Sequence, residues 1–286
     1  MTTLAVRCPA KINLGLRVLR RREDGFHEIV TLFQAIDLWD ELSAVDDDAL
    51  SLTVEGEPAP SDDTNLVVRA ARLLGTGRGA RLRLVKRIPA GAGLGGGSSD
   101  AAGALVLLSR LWGLSLDGRA LAALGAELGS DVSFFLAGGT AIGTGRGERI
   151  EPLPPIGQRP VLLGHPPFAL ATAAVYAALG AALTPELDGV TVSRLFVKFA
   201  EGNDFALATN DLEAPAFAMR GELRSFRDAL SRTGAEVALL SGSGSTVFGM
   251  YGAGTELTAI ADELRGAFPG WRVRASRTIA SGVVAG

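Results

Sequence analysis

A chain of 286 residues with 47% hydrophobic and 21% charged side chains is long enough for two modest domains and too apolar for disorder. Its net charge of −3, with both signs spread along the chain, leaves no basic face for a nucleic-acid partner. One cysteine, Cys8, and two histidines, His27 and His165, exclude an intrachain disulfide and a zinc-type site, and no apolar run reaches the roughly 20 residues of a membrane span.

The N-terminus reads as a strand without a basic-then-apolar leader, so the cytoplasm is the expected compartment. Strand-like segments occupy 2–8, 13–19 and 29–36, the last after a turn at Asp24-Gly25. The basic run Arg20-Arg21-Arg22 meets Glu23 and Asp24 at once and reads as a solvated turn. Segment 65–75 is an amphipathic helix: Asn65 suits an N-cap, Leu66, Ala70 and Leu73 share a face, and Gly75 stands at C′. Arg81-Leu82-Arg83-Leu84 alternates as a half-buried strand does. It leads through Pro89 and a glycine cluster into a helix over 98–113 that is apolar almost all round and so belongs inside a domain. Asp117 opens another helix-like segment that runs to 128.

Pro152, Pro154, Pro155 and Pro160 mark the expected domain boundary. Beyond it come a strand at 160–164, helices at 171–180 and 219–233, strands at 236–240 and 246–251, a helix at 255–267 and a strand at 271–277. Leu223, Phe226 and Leu230 line one face of the helix before Gly234. Leu257, Ile260, Ala261 and Leu264 do the same for the last helix, and Trp271, Val273 and Ala275 alternate with Arg272 and Arg274. Segment 184–210 has no period and stays unassigned. The rest is a βαββαβ series, the split βαβ arrangement of ferredoxin-like domains. The expected architecture is α+β, with an α/β domain over 1–155 and a ferredoxin-like domain over 156–286.

The stretch Ile88-Pro89-Ala90-Gly91-Ala92-Gly93-Leu94-Gly95-Gly96-Gly97-Ser98-Ser99 carries the most information. Five glycines within seven residues, between a strand and a buried helix, let the backbone approach a ligand without Cβ interference. A helix starting near Ser98 or Ser99 would point its free N–H groups and dipole into the loop, which makes an anion site, and phosphate is the usual anion. The serine hydroxyls can add donors or a magnesium ligand, with Ser99 the candidate. Gly91, Gly93 and Gly96 satisfy the dinucleotide spacing, yet no strand ends in an acidic residue about 20 positions on. No lysine follows a glycine as a Walker loop requires, and the protein-kinase motifs are missing. Spacing alone leaves an unassigned phosphate loop.

The loop, read as GLGGGSSDAA, resembles the GLGSSAA phosphate loop of the GHMP kinases in its diphosphocytidyl-methylerythritol branch. Two further family motifs stand in order: Pro9 to Leu16 (PAKINLGL) and Leu240 to Gly249 (LSGSGSTVFG). Together they span some 240 residues. Branch-level likeness adds Asp24 to Glu28 (DGFHE), Asn65-Leu66 with Ala70-Ala71, Gly129 to Phe134 (GSDVSF) and Asn210 to Glu213 (NDLE). The resemblance implies a two-domain fold whose N-terminal part is like domain 2 of ribosomal protein S5. It implies ATP and Mg²⁺ as cosubstrate and cofactor, and a cytidine diphosphate-linked methylerythritol as acceptor. ATP would be held by Asn65 and the loop from Pro89 through Ser99.

Chemistry requires a group to accept the hydroxyl proton and groups to hold the developing charge. Asp131, a carboxylate at the start of an apolar segment, matches the family's catalytic aspartate; its plainer alternative is a helix cap. Lys11 is one of only three lysines among 28 basic residues, set in an apolar strand, and matches the family lysine that holds aspartate and hydroxyl. A lysine snorkelling from a strand edge is the alternative. By resemblance Phe26 and Tyr176 sandwich a cytosine ring, His27 and Asn13 bond its edge, and Thr172 lies nearby. Tyr176 could equally be core. Two other functions remain open: a GHMP kinase of the homoserine or mevalonate type, and a nucleotide-binding module without catalysis. A dinucleotide-dependent oxidoreductase ranks below both. No nucleic acid or membrane partner is expected, and the chain is expected to act as a monomer or homodimer.

Overall fold

The computed structural model describes residues 3–180, 188–202 and 205–285. The unassigned segment 184–210 falls partly outside these, and so does the first residue of the strand expected at 2–8.

Where two strands were expected, one runs unbroken: β1 (Leu4–Arg21), antiparallel to the 21-residue β2 (His27–Asp47). Register shifts at Pro9/Ala10, Asn13/Gly15 and Val18/Arg20 admit a proline and bend the ribbon, so its far half reaches the second sheet. β3 (Leu50–Gly56) was not foreseen. It pairs in parallel with β4 (Gly79–Lys86), whose alternation is as expected, with Leu82 and Leu84 buried and Arg81 and Arg83 exposed. Between them α1 (Leu66–Leu73) is capped by Asn65 and closed by Gly75 at φ +66°. Its buried face is Val67, Val68, Ala70 and Ala71, one position round from the stripe expected through Leu66 and Leu73.

α2 (Gly96–Leu111) starts two residues before the earlier serine of the expected start and has no serine cap; Gly95 at φ +71° turns the chain into it instead. The helix packs through Ala101, Ala104, Leu105 and Leu108 into the core under β1 and β2. Gly103 permits that approach, since a Cβ there would lie 2.4 Å from Cys8 Sγ. Asp117 accepts from Ala120 N–H and caps α3 (Gly118–Leu128), which leads to α4 (Val132–Ala137). The hairpin β5 (Thr140–Gly145) and β6 (Arg149–Leu153) closes this half, with β5 on β2. Pro152, expected in a linker, pairs with Ala141 instead; β6 is an edge strand, where a missing donor is tolerated.

The second half opens with β7 (Pro160–His165) and α5 (Thr172–Leu179). The unassigned segment contains α6 (Gly189–Gly202) and the short β8 (Thr209–Asn210). The helix expected at 219–233 is α8 (Gly221–Arg232); α7 (Glu213–Met219), which was not foreseen, precedes it, and the two are separated where Arg220 is extended. β9 (Val237–Leu240), β10 (Val247–Met250), α9 (Thr258–Ala267), β11 (Arg272–Arg277) and β12 (Val284–Ala285) follow. The second sheet has the order β11-β7-β10-β9 with every pair antiparallel, which is the ferredoxin-like arrangement expected. Leu223, Phe226 and Leu230 of α8 and Ala261 and Leu264 of α9 cover it. β8 and β12 both pair with β1, so two pieces of the later chain belong to the first sheet. No helix among the described residues is long and apolar enough to cross a membrane.

Candidate active site

The phosphate loop and the glycine-serine turn between β9 and β10 meet face to face. Thr246 N–H donates to Ala92 O at 3.1 Å and Ser241 Oγ to Gly93 O at 2.8 Å. Gly93 must be glycine here: its φ is +77°, and a Cβ would fall 2.0 Å from Ser241 O. The first N–H groups of α2 have no intrahelical acceptor. Ser99 Oγ is buried on the first turn of that helix with no hydrogen-bond partner among the described residues.

Lys11 rises from β1 into this junction, 3% exposed. Its Nζ donates to Asn13 Oδ1 at 2.6 Å and to Gly93 O at 2.8 Å, and lies 3.6 Å from Asp131 Oδ2. Burial lowers its pKa below the ordinary lysine value, and the Asp131 carboxylate opposes that shift. Asn13 Nδ2 donates in turn to Thr31 Oγ1 at 2.8 Å, so Asn13 is tied to Lys11 on one side and to β2 on the other. Asp131 occupies the N-cap position of α4 but makes no cap hydrogen bond. Its carboxylate faces Lys11 and a cavity.

That cavity, about 890 Å³, gathers residues from the whole chain. Lys11, Asn13, Phe26, His27, Gly93, Gly95, Asp131, Thr172 and Tyr176, all singled out in the sequence, line it. His27 stacks on Tyr176 with ring centroids 4.9 Å apart and planes at 28°. Burial pushes the Tyr176 hydroxyl pKa well up, and nearby Asp131 adds to it. Burial likewise lowers the pKa of His27, helped by Arg21. Phe26 is 51% exposed at the mouth, with Arg146 4.8 Å above its ring. Thr172 Oγ1 bonds Ser243 Oγ at 2.8 Å, which links α5 to the glycine-serine turn. Asn65 does not line this cavity: its Oδ1 caps α1 through Val67 N–H and its Nδ2 donates to Pro60 O.

Several lining residues escaped the sequence reading: Gly242, Ser243, Ser130, Arg21 and Arg146. Gly242 sits close enough that a Cβ would be 3.4 Å from both Lys11 Nζ and Asn13 Oδ1. The turn motif was recognised, but only the fold shows which of its residues face the cavity. Arg146 carried a readable signal, an arginine between two glycines, Gly145 and Gly147, both at positive φ. Glu148 accepts from Arg146 N–H at 2.6 Å and holds that turn. The NDLE motif also has a use. Asn210 Nδ2 donates to Leu240 O and Gly242 O, each at 2.8 Å, and Glu213 accepts from Leu240 N–H, so the motif braces the turn.

A glycine-rich loop at a helix N-terminus, a lysine–aspartate pair beside it and a large cavity are the parts that an ATP-dependent small-molecule kinase needs. The GHMP kinase N-terminal domain profile matches residues 65–139 and the GHMP kinase C-terminal profile residues 196–270. The chain is 40% identical over 271 residues to 4-diphosphocytidyl-2-C-methyl-D-erythritol kinase of Shouchella clausii, covering 92% of this chain and 90% of that protein. It is 44% identical to the protein of the same name from Pelotomaculum thermopropionicum, over 84% of this chain and 86% of the relative. A crystal structure of 4-(cytidine 5′-diphospho)-2C-methyl-D-erythritol kinase superposes with a TM-score of 0.79 at 37% identity, over 96% of this chain and 98% of that one. A homoserine kinase from Cytophaga hutchinsonii shares the fold, with a TM-score of 0.75 at 19% identity. The chain belongs to the 4-diphosphocytidyl-2-C-methyl-D-erythritol kinase family of the GHMP kinases.

Proposed function

We propose that this chain transfers the γ-phosphoryl group of ATP to the 2-hydroxyl of 4-diphosphocytidyl-2-C-methyl-D-erythritol, in the non-mevalonate route to isoprenoid precursors, and does so in the cytoplasm. The observation that carries the proposal is the single cavity in which the Lys11–Asp131 pair, the phosphate loop and the His27–Tyr176 wall meet. The cut between domains falls at 155/156, with β8 and β12 returning across it to β1.

Asp131 accepts the proton of the attacking hydroxyl. Lys11, fixed by Asn13 Oδ1 and Gly93 O, holds the aspartate and stabilises charge on the transferring group. The backbone of Gly93 to Gly97 and the N-terminus of α2 cradle the phosphates. Mg²⁺ fits this site: Ser99 supplies a buried hydroxyl without a partner, and a magnesium ion in a kinase rests chiefly on phosphates and water. When bound, the ion would neutralise charge on the β- and γ-phosphates. Among the described residues no group of three His, Cys, Asp or Glu side chains forms a metal cage, so phosphates would supply most of its ligands.

The wall of the acceptor end suits a pyrimidine, which needs stacking and edge hydrogen bonds. His27 lies against Tyr176, so a base between Phe26 and Tyr176 displaces the imidazole and leaves it at the base's edge. Arg21 and Arg146 at the mouth complement a diphosphate. Tyr176→Ala and Phe26→Ala are each expected to weaken the cytidyl acceptor by roughly 1–3 kcal/mol, the scale of a lost base–aromatic stack, with the KM for ATP unchanged. Equal losses for both substrates in steady-state kinetics would assign the rings to packing. The function itself is tested by coupled ADP release with Mg²⁺ and a panel of alcohols. Turnover with the cytidyl compound alone is expected. Turnover with homoserine or mevalonate, and none with the cytidyl compound, would overturn the proposal.

A further inference from the structure

Behind the phosphate loop lies a charged cluster that the transfer step does not use. Lys86, the last residue of β4, is buried, and its Nζ donates to Asp40 Oδ2 and to Asp100 Oδ2, both at 2.5 Å. Asp40, on β2, uses its other oxygen to accept from the N–H groups of Arg87 and Ile88, where the chain enters the loop. Asp100 stands early in α2, where the chain leaves it. One ammonium therefore ties together the entrance and the exit of the loop. Gly96 sits directly against it: a Cβ there would be 2.8 Å from Ile88 Cγ2 and 3.5 Å from Lys86 Nζ.

Two carboxylates share that single cation, and neither is more than 3% exposed. Both ionised, they would leave a net negative charge buried behind a site that must accept a triphosphate. Asp100 Oδ1 is buried with no donor reaching it among the described residues, and Asp40 is the hydrogen-bond neighbour to which a protonated Asp100 can donate. The other titratable groups facing Asp100 are Cys8 on β1, whose thiol burial and the two carboxylates keep neutral, and Lys86 itself. Burial alone would lower the Lys86 pKa, but Asp100 and Asp40 together raise it, so the cation persists.

We propose that Lys86, Asp40 and Asp100 form a positioning clip for the nucleotide, setting the approach of the α2 N-terminus to the phosphates, and that the two carboxylates retain one proton while they do so. The proposal rests on reading the loop as the ATP site. Its pH sense follows from the burial of Asp100, which, with Asp40 beside it and Lys86 opposing, pushes its carboxyl up to about 8. Below that value the clip is neutral overall. Above it, one uncompensated negative charge faces the phosphates and weakens their binding.

The test is calorimetric Mg-ATP binding from pH 6.5 to about 9.5, with wild type and Asp100→Asn, alongside the KM for the acceptor. Asparagine accepts from Lys86 and donates to Asp40, so it reproduces the protonated state at every pH. Equal ATP affinity is expected near pH 7. At the alkaline end the wild type should bind about fivefold more weakly than the variant, on the scale of one partly screened charge, with acceptor KM alike in both. Titration of ATP and of Lys11 is common to both proteins and cancels in the ratio. A second variant, Lys86→Met with Asp40→Asn and Asp100→Asn, removes the clip without leaving a buried charge, and ATP affinity should fall at least tenfold while the acceptor KM holds. A wild-type to Asp100→Asn ratio that stays constant with pH would overturn the shared proton. Wild-type ATP affinity in the triple variant would reduce the cluster to core packing, and if that variant does not fold, the Asp100→Asn ratio decides. ATP binding with no turnover of the cytidyl alcohol would refute the proposed reaction and leave the clip standing.

Discussion

Asp131→Asn is expected to lower kcat by about 10²–10⁴ while Tm and both substrate affinities stay near wild type. The substitution keeps the shape of the side chain and removes only its capacity to take a proton. A structural role through capping is not available to Asp131, because its carboxylate makes no cap hydrogen bond to α4 and points instead at Lys11, 3.6 Å away. Lys11→Met is expected to lower kcat as well. The double variant should lose much less than the product of the single losses, since two groups acting on one proton transfer are not independent. Steady-state kinetics on the four proteins measures this. A kcat near wild type in Asp131→Asn would remove Asp131 from the mechanism, and strictly multiplicative losses would separate it from Lys11.

Gly93→Ala is expected to abolish measurable ATP binding. Two costs coincide there: a φ of +77°, and a Cβ 2.0 Å from the backbone oxygen of Ser241. Relief would require the glycine-serine turn to withdraw, and Gly93 O is also the acceptor for Ser241 Oγ and Lys11 Nζ. Moving the turn therefore moves Lys11. Gly91→Ala is the matched control. Its φ is +64°, yet nothing lies within 4 Å of the added carbon, so it carries only the left-handed penalty of about 1–2 kcal/mol. Calorimetry with ATP should show binding kept within a few-fold in Gly91→Ala and lost in Gly93→Ala. Equal effects would mean that backbone strain, rather than the close approach of turn and loop, is what these glycines relieve. Gly95 is less suited to the comparison, because a Cβ there would meet Phe135 at 2.7 Å and Lys11 Cγ at 3.2 Å and disturb the core.

Elements with a clean period were legible from sequence: β4 by its alternation, α8 by Leu223, Phe226 and Leu230, and α3 by its Asp117 cap. Those that failed had local signals overruled by pairing. β5 holds two glycines and β6 holds Pro152, so neither reads as a strand; β5 is held between β2 and β6, and the edge position of β6 accepts the proline. β1 and β2 exceed the usual strand length, and bulges at Pro9 and Asn13 hid their continuity. The site was legible where motifs carried it, and Lys11, the glycine loop and Asp131 do share one cavity. Asn65 was legible as the cap of α1, but Lys86 beneath the loop depends on contacts between distant segments, which no local pattern reports. Asp100 passed as part of an apolar helix although its carboxylate meets Lys86.

The central claim, phosphoryl transfer to the cytidyl alcohol, is tested most directly by ³¹P NMR of the product formed from that alcohol, ATP and Mg²⁺. The expected spectrum keeps the two coupled resonances of the acceptor's diphosphate, adds one phosphomonoester resonance, and shows ADP growing in step with it. Adding Asp131→Asn in place of the wild type should leave the acceptor spectrum unchanged over the same interval. ADP appearing without a new phosphomonoester, or a phosphomonoester formed on homoserine or mevalonate while the cytidyl alcohol is untouched, would contradict the claim.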